Sequence, residues 1–95
     1  MPLFVISWRD KPDSLALRMA TREAHLAYAA SLGDRVKLGG PYLGDDGQMI
    51  GSLMIFEADD LAQAQALHDN DPYKLAGLFD ASQITPWRVT LNSLA

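Results

Sequence analysis

The segment PLFVISW, residues 2–8, restricts the fold most, because it is a strand pattern with bulky apolar residues on both faces. Alternate side chains of a strand point to opposite faces. The two faces are Leu3, Val5 and Ser7 on one side and Phe4, Ile6 and Trp8 on the other. A sheet with helices on one side and water on the other should alternate apolar and polar residues. We therefore expect both faces of this sheet to be covered.

The segment MIGSLMIFEA, residues 49–58, is a second strong strand of the same kind. Its faces are Ile50, Met54 and Phe56 on one side and Leu53 and Ile55 on the other. The Asp-Gly dipeptide in residues 44–48 predicts a hairpin turn before this strand. The preceding segment, DRVKLGGPYLG, has a weaker strand pattern. We expect its Gly-Gly-Pro triplet to break this strand.

Two helices complete the pattern. The first is predicted from Asp13 or Ser14, either of which can cap it, to Leu32, and Gly33 should end it. The second is the segment DDLAQAQALHDN, capped by its first or second aspartate. The last strand is predicted at ASQITPWRVTL, residues 81–91.

The resulting order, β-α-β-β-α-β, predicts an α+β, ferredoxin-like fold, with an antiparallel sheet and both helices on one face. The 95 residues predict a single domain, residues 1–95. A second copy of the chain is the expected cover for the other face of the sheet, because so short a chain has little else to bury it with. We therefore predict a homodimer formed through the sheet face, and further assembly stays open.

Composition excludes several classes of function. The net charge is −4 and there is no basic run, so neither a nucleic-acid nor an anionic-membrane surface is expected. The chain has no cysteine, which excludes a disulfide scaffold, a thiolate nucleophile and a cysteine zinc site. The N-terminus does not read as a secretory signal, and no apolar run is long enough to span a membrane. The expected location is the cytoplasm.

The two histidines lie in the predicted helices. His25 is in the middle of the first helix, with Arg22 one turn earlier on the same side. It is either a partly exposed surface side chain or an imidazole at the rim of a pocket that exchanges a proton near neutral pH. His68 is in the last turn of the second helix, where the helix dipole explains it. Two isolated histidines have no metal-ligand spacing, so no metal site is expected.

The segment HDNDPYKLAGLF, residues 68–79, contains a good helix start. Asp71 fits the N-cap position and Pro72 the first helical position, and Gly77 should end this short helix. Capping alone explains Asp71. A capping carboxylate is also held still and kept ionised, so it can orient an imidazole as the acid of a catalytic triad does.

Four segments occur in order over nearly the whole chain: REAHLAY in the first helix, GPYLGDDGQMIGSLMIFEA across the hairpin, then DNDPYKLAGLF and ITPW. Together they resemble the YciI-like (YCII-related domain) family, and GSLMIFEA followed by DPYKLAGLF is the most specific part. The resemblance implies a ferredoxin-like fold assembled into dimeric α+β barrels. It also implies a pocket with a histidine–aspartate pair at His25 and Asp71. Further pocket positions are Arg22, Gly40, Ser52 and Pro72.

Some members of this family resemble enzymes that break down aromatic compounds, including a dehydrochlorinase. The resemblance therefore implies cofactor-free proton transfer, by elimination, dehydrochlorination or isomerisation, on a small organic substrate. In this interpretation the chain is a lyase- or isomerase-type enzyme that uses His25 and Asp71. The alternative is a non-catalytic domain that binds a small molecule or assists another protein. The same pair would then be two buried polar groups that satisfy each other.

Overall fold

A computed structural model describes residues 2–94 of the chain. It contains four strands, three α-helices and one 3-10 turn at Gly33–Arg35. The strands are β1 (Leu3–Asp10), β2 (Val36–Leu43), β3 (Met49–Glu57) and β4 (Phe79–Trp87). The α-helices are α1 (Leu15–Ser31), α2 (Leu61–Asp69) and α3 (Pro72–Leu75). This order confirms the predicted α+β, ferredoxin-like fold.

The sheet is antiparallel throughout, in the spatial order β2-β3-β1-β4. The pairing of residues between β1 and β3 agrees with the predicted faces of these two strands. Phe4, Ile6 and Trp8 lie opposite Phe56, Met54 and Ser52, and Val5 lies opposite Ile55. The first of these faces packs under the helices. It forms the main core with two residues from the segment after α2, Tyr73 and Leu78.

Helix boundaries follow local sequence signals. Asp60 caps α2 by accepting a hydrogen bond from the Gln63 backbone N–H at 2.8 Å, as predicted. Ser14 occupies the N-cap position of α1 but its side chain makes no capping bond there. Gly33, with a φ of 57°, follows the C-cap residue Leu32, so the predicted stop is confirmed within one residue.

Two strand predictions were wrong in detail. Strand β2 runs without a break through the Gly-Gly-Pro triplet. It tolerates Pro41 because β2 is an edge strand, where a missing N–H costs no ladder bond. Strand β4 occupies residues 79–87 rather than 81–91. It ends at Trp87 because that residue pairs with Leu3, the first residue of β1.

The face of the sheet away from the helices, here called the outer face, is covered only in part, by the segment after β4. Exposed apolar side chains lie on it, including Leu38 at 46% and Trp87 at 42% of full exposure. A cavity of about 580 Å³ lies there, between the sheet and the segment after β4. None of the helices in residues 2–94 is both long and apolar enough to cross a membrane.

Candidate active site

One face of α1 supplies the charged and imidazole side chains that line a second cavity. Arg18, Arg22 and His25 are separated by four and three residues, so they share a face of the helix. The cavity has a volume of about 290 Å³ and lies between α1 and the β2–β3 side of the sheet. That volume is at the small end of ligand sites, which are typically ~300–1,000 Å³. The lining residues are Arg18, Arg22, His25, Leu26, Ala29, Val36, Gly39, Gly40, Pro41, Met49, Ser52, Met54 and Tyr73.

His25 is hydrogen-bonded to Asp71. Its Nδ1 lies 2.9 Å from Oδ1 and 3.0 Å from Oδ2 of the carboxylate. An ionised carboxylate only accepts hydrogen bonds, so Nδ1 is assigned the proton and Nε2 is the ring nitrogen left for a ligand. His25 is 9% exposed and Asp71 is 3% exposed. The pair is therefore largely removed from water, and only the histidine side lines the cavity.

Asp71 is held by the start of α3. Its Oδ1 accepts a hydrogen bond from the Tyr73 backbone N–H at 2.9 Å, and Pro72 is the first helical residue. Gly77 follows the end of the helix with a φ of 80°, a backbone angle that favours glycine. The predicted cap is thus confirmed, and the capping carboxylate is the same group that contacts His25.

Tyr73 connects the histidine to the core. Its ring stacks on the His25 ring, with centroids 4.2 Å apart and planes 19° apart. Trp8 meets both rings edge to face. Burial raises the pKa of the Tyr73 hydroxyl, and the positive charges of Arg18 and Arg22 only partly oppose this. The phenol therefore remains protonated in the neutral range, and the aromatic rings restrict the orientation of the imidazole.

Arg18 forms a buried ion pair beside this cluster. Its Nε donates to Asp10 Oδ2 at 2.6 Å and its Nη2 donates to Asp10 Oδ1 at 3.1 Å. The same Nη2 donates to Ser52 Oγ at 2.9 Å. Arg18 also lies over the Tyr73 ring, with Cζ 4.8 Å from the centroid. Such a two-point pair with a carboxylate fixes the guanidinium in place.

Four of the six predicted site residues line the cavity: His25, Arg22, Gly40 and Ser52. Asp71 lies behind His25 rather than on the cavity wall. Pro72 is not among the lining residues, and its position at the start of α3 accounts for it. The interpretation of His25 as a partly exposed surface residue does not fit its burial.

His68 lies in the last turn of α2, as predicted, but side chains rather than the helix dipole alone hold it. Its Nδ1 lies 2.8 Å from Asp69 Oδ1, and its Nε2 lies 2.9 Å from Ser82 Oγ on β4. The contact with His68, together with one from Gln65, lowers the pKa of the Asp69 carboxyl. His68 therefore links α2 to β4, away from the cavity.

Sequence reasoning missed three residues of this site: Arg18, Asp10 and Tyr73. A usable signal existed for Arg18, which is one turn before Arg22 and two turns before His25. Asp10 and Tyr73 gave no such signal, because their contacts with α1 depend on tertiary packing. Within residues 2–94, no group of three or more His, Cys, Asp or Glu side chains is arranged to hold a metal ion.

Comparisons with known proteins agree with this architecture. The family model of the YCII-related domain matches residues 2–88. Protein YciI of Escherichia coli O6:H1 is 37% identical over 94 residues, covering 90% of this chain and 96% of its own length. Protein YciI of Shigella flexneri matches to the same extent.

A solved structure is also similar. It is 5-chloro-2-hydroxyhydroquinone dehydrochlorinase (TftG) from Burkholderia phenoliruptrix AC1100, in complex with 2,5-dihydroxybenzoquinone. The identity is 40%, the TM-score is 0.85, and the match covers 90% of this chain and 93% of the other. The fold is thus that of the dimeric α+β barrel proteins.

Proposed function

The chain belongs to the YCII-related domain family, and from this premise we propose that it is a small enzyme that moves a proton on a small organic ligand, with His25 as general base or acid. The contact between His25 Nδ1 and Asp71 at 2.9 Å carries the proposal. It fixes the ring and leaves Nε2 for a ligand in the cavity. Geometry of this kind is the first requirement for a general base.

In the proposed reaction, Nε2 takes a proton from an acidic C–H of the ligand, or from an O–H of the keto tautomer of a halogenated hydroxyaromatic, and the bonding electrons stay on the ligand. In an elimination these electrons form a new carbon–carbon or carbon–oxygen double bond, and a leaving group such as chloride departs with the electron pair of its bond to carbon. In an isomerisation the imidazolium returns the proton to a different atom. Asp71 stabilises the imidazolium in both cases. A positioned base of this kind contributes ~10²–10⁴-fold.

The ligand class follows from cavity size and from the similar dehydrochlorinase. A cavity of about 290 Å³ suits a molecule with one ring. The similar structure holds 2,5-dihydroxybenzoquinone, a ring of this size with several oxygen atoms. We therefore infer that this chain acts on a small oxygenated, cyclic compound, including halogenated hydroxyaromatics and lactones.

We also propose that two copies associate through the outer face. Leu38, Trp87 and the nearby Leu91 and Leu94 are at least 42% exposed there, and a chain of this size gains stability when such a surface is buried. A second copy has the same apolar face and can cover it symmetrically.

Replacement of His25 tests the catalytic proposal. His25→Gln should lower kcat/KM by ~10²–10⁴-fold on any substrate found in a panel of halogenated hydroxyaromatics and lactones. His68→Gln is the matched control, because His68 is also a buried histidine but lies outside the cavity. It should keep wild-type turnover. Equal turnover by wild type and His25→Gln would show that His25 is not the base. Binding of a panel compound by wild type without turnover would favour a non-catalytic binding domain.

A further inference from the structure

The buried Arg18–Ser52 pair points to a property of the ligand that the histidine alone does not define. Arg18 is 3% exposed and Ser52 is 4% exposed, and both line the 290 Å³ cavity. An arginine this deeply buried requires a compensating charge. Asp10 supplies it by accepting from Nε and Nη2. Asp10 itself is not among the lining residues, so it holds Arg18 from behind.

The direction of the Arg18–Ser52 hydrogen bond is fixed by chemistry. A guanidinium has no acceptor, so Arg18 Nη2 donates and Ser52 Oγ accepts at 2.9 Å. The proton of the Ser52 hydroxyl is therefore not used in this bond. Within residues 2–94, no oxygen of the chain accepts it. Buried hydroxyl groups are nearly always paired, so this proton is available to an acceptor inside the cavity.

Charge favours a negative acceptor at this position. The cation behind Ser52 polarises its O–H bond and makes it a stronger donor. The described lining residues include two guanidinium groups, those of Arg18 and Arg22, and no Asp or Glu. Asp10 compensates the charge of Arg18, whereas Arg22 has no carboxylate partner within residues 2–94. The uncompensated positive charge on the lining is therefore that of Arg22.

We propose that Ser52 and Arg18 form an oxyanion subsite, which selects ligands that carry an ionised hydroxyl or carboxylate oxygen. Arg18, Ser52 and His25 all line the same cavity of about 290 Å³, so this subsite and the imidazole can bind different parts of one small ligand. The inference rests on the proposed function only in using the same cavity. The hydrogen-bond donors of this subsite would also stabilise the enolate-type negative charge that develops on the ligand when His25 removes a proton.

Binding of two related quinones tests the subsite without any need for turnover. The probes are 2,5-dihydroxybenzoquinone, whose hydroxyl groups are acidic, and 2,5-dimethoxybenzoquinone, which has no ionisable group. Calorimetry near neutral pH should show that wild type binds the dihydroxy compound at least about tenfold more tightly, as expected for hydrogen bonds to a charged group. Equal affinity for the two probes, or binding of neither, would overturn the proposal.

Ser52→Ala is the decisive variant, because it leaves the Arg18–Asp10 pair in place. It should reduce the affinity ratio between the two probes by about tenfold. Ser82→Ala, which removes a serine hydroxyl outside the cavity, should keep the wild-type ratio. A purely structural serine would weaken binding of both probes equally and leave the ratio unchanged, and that result contradicts the subsite. Loss of turnover in His25→Gln with an unchanged ratio would separate this proposal from the catalytic one.

Discussion

At the scale of single residues, the carboxylate of Asp71 makes two sets of contacts. Oδ1 accepts from the Tyr73 backbone N–H at 2.9 Å, and both oxygens lie within 3.0 Å of His25 Nδ1. A helix cap therefore serves as the support of an imidazole. The cap fixes the carboxylate, and the carboxylate in turn contacts Nδ1, so Nε2 is the His25 nitrogen without a hydrogen bond within residues 2–94.

Asp71→Asn separates these two functions. Asparagine is also a good N-cap, so the free energy of unfolding should change by no more than about 1 kcal/mol. The negative charge that supports the imidazolium is lost, so kcat should fall by ~10²–10⁴-fold. Chemical denaturation and steady-state kinetics measure the two effects.

Asp60→Asn is the matched control for that variant, because Asp60 caps α2 through the Gln63 N–H and does not line the cavity. It should change neither stability nor turnover appreciably. If Asp71→Asn destabilises the protein but retains turnover, Asp71 is only a cap.

At the scale of elements, local sequence signals specified some parts of the fold better than others. The Asp-Pro start and glycine end of α3 were predicted because they are local chemistry. The length of β4 was not, because its end depends on where β1 begins. The continuity of β2 was also missed, since Pro41 is tolerated only by an edge strand.

The same distinction applies to the site. Residue patterns alone left His25 open between surface and pocket, and its pairing with Asp71 was implied only by the family resemblance. The two are 46 residues apart and meet through the packing of α1 on α3. Arg18 could have been found from helical spacing, but its bonds to Asp10 and Ser52 depend on the sheet register.

Helix α3 is anchored by Tyr73, which is 1% exposed, and this predicts a response to alkaline pH. Burial raises the folded-state pKa of its phenol above the unfolded value of about 10. The folded state then holds its proton more tightly, so this contribution to stability is complete below about pH 10 and is lost as pH rises through the folded pKa.

Tyr73→Phe removes the titrating group. Its free energy of unfolding should fall less than that of wild type between about pH 9 and pH 11, measured by urea denaturation. The variant should also lack the part of the phenolate absorbance above about pH 10 that Tyr73 contributes in wild type. If the free energies of unfolding of the two proteins fall equally as pH rises, folding does not raise the pKa of Tyr73.

At the scale of the whole molecule, the two faces of the sheet differ in how they are covered. The face under the helices supplies Trp8 and Ser52 to the core and the cavity, whereas the outer face presents apolar side chains that the segment after β4 covers only in part. The predicted sheet-face homodimer accounts for both strand faces at once. Its energetic basis is burial of apolar area at roughly 25 cal/mol per Å².

Leu38→Asp tests that assembly, because Leu38 is 46% exposed on the outer face and lines its cavity. A charge there costs the single chain little but would have to be buried without a partner in the dimer. Sedimentation at micromolar concentration should therefore give a dimer for wild type and a monomer for Leu38→Asp. Leu61→Asp is the control, since Leu61 is 53% exposed and begins α2, where an acidic residue is favourable. It should remain dimeric, and a monomeric wild type or a dimeric Leu38→Asp would show that the outer face is not the interface.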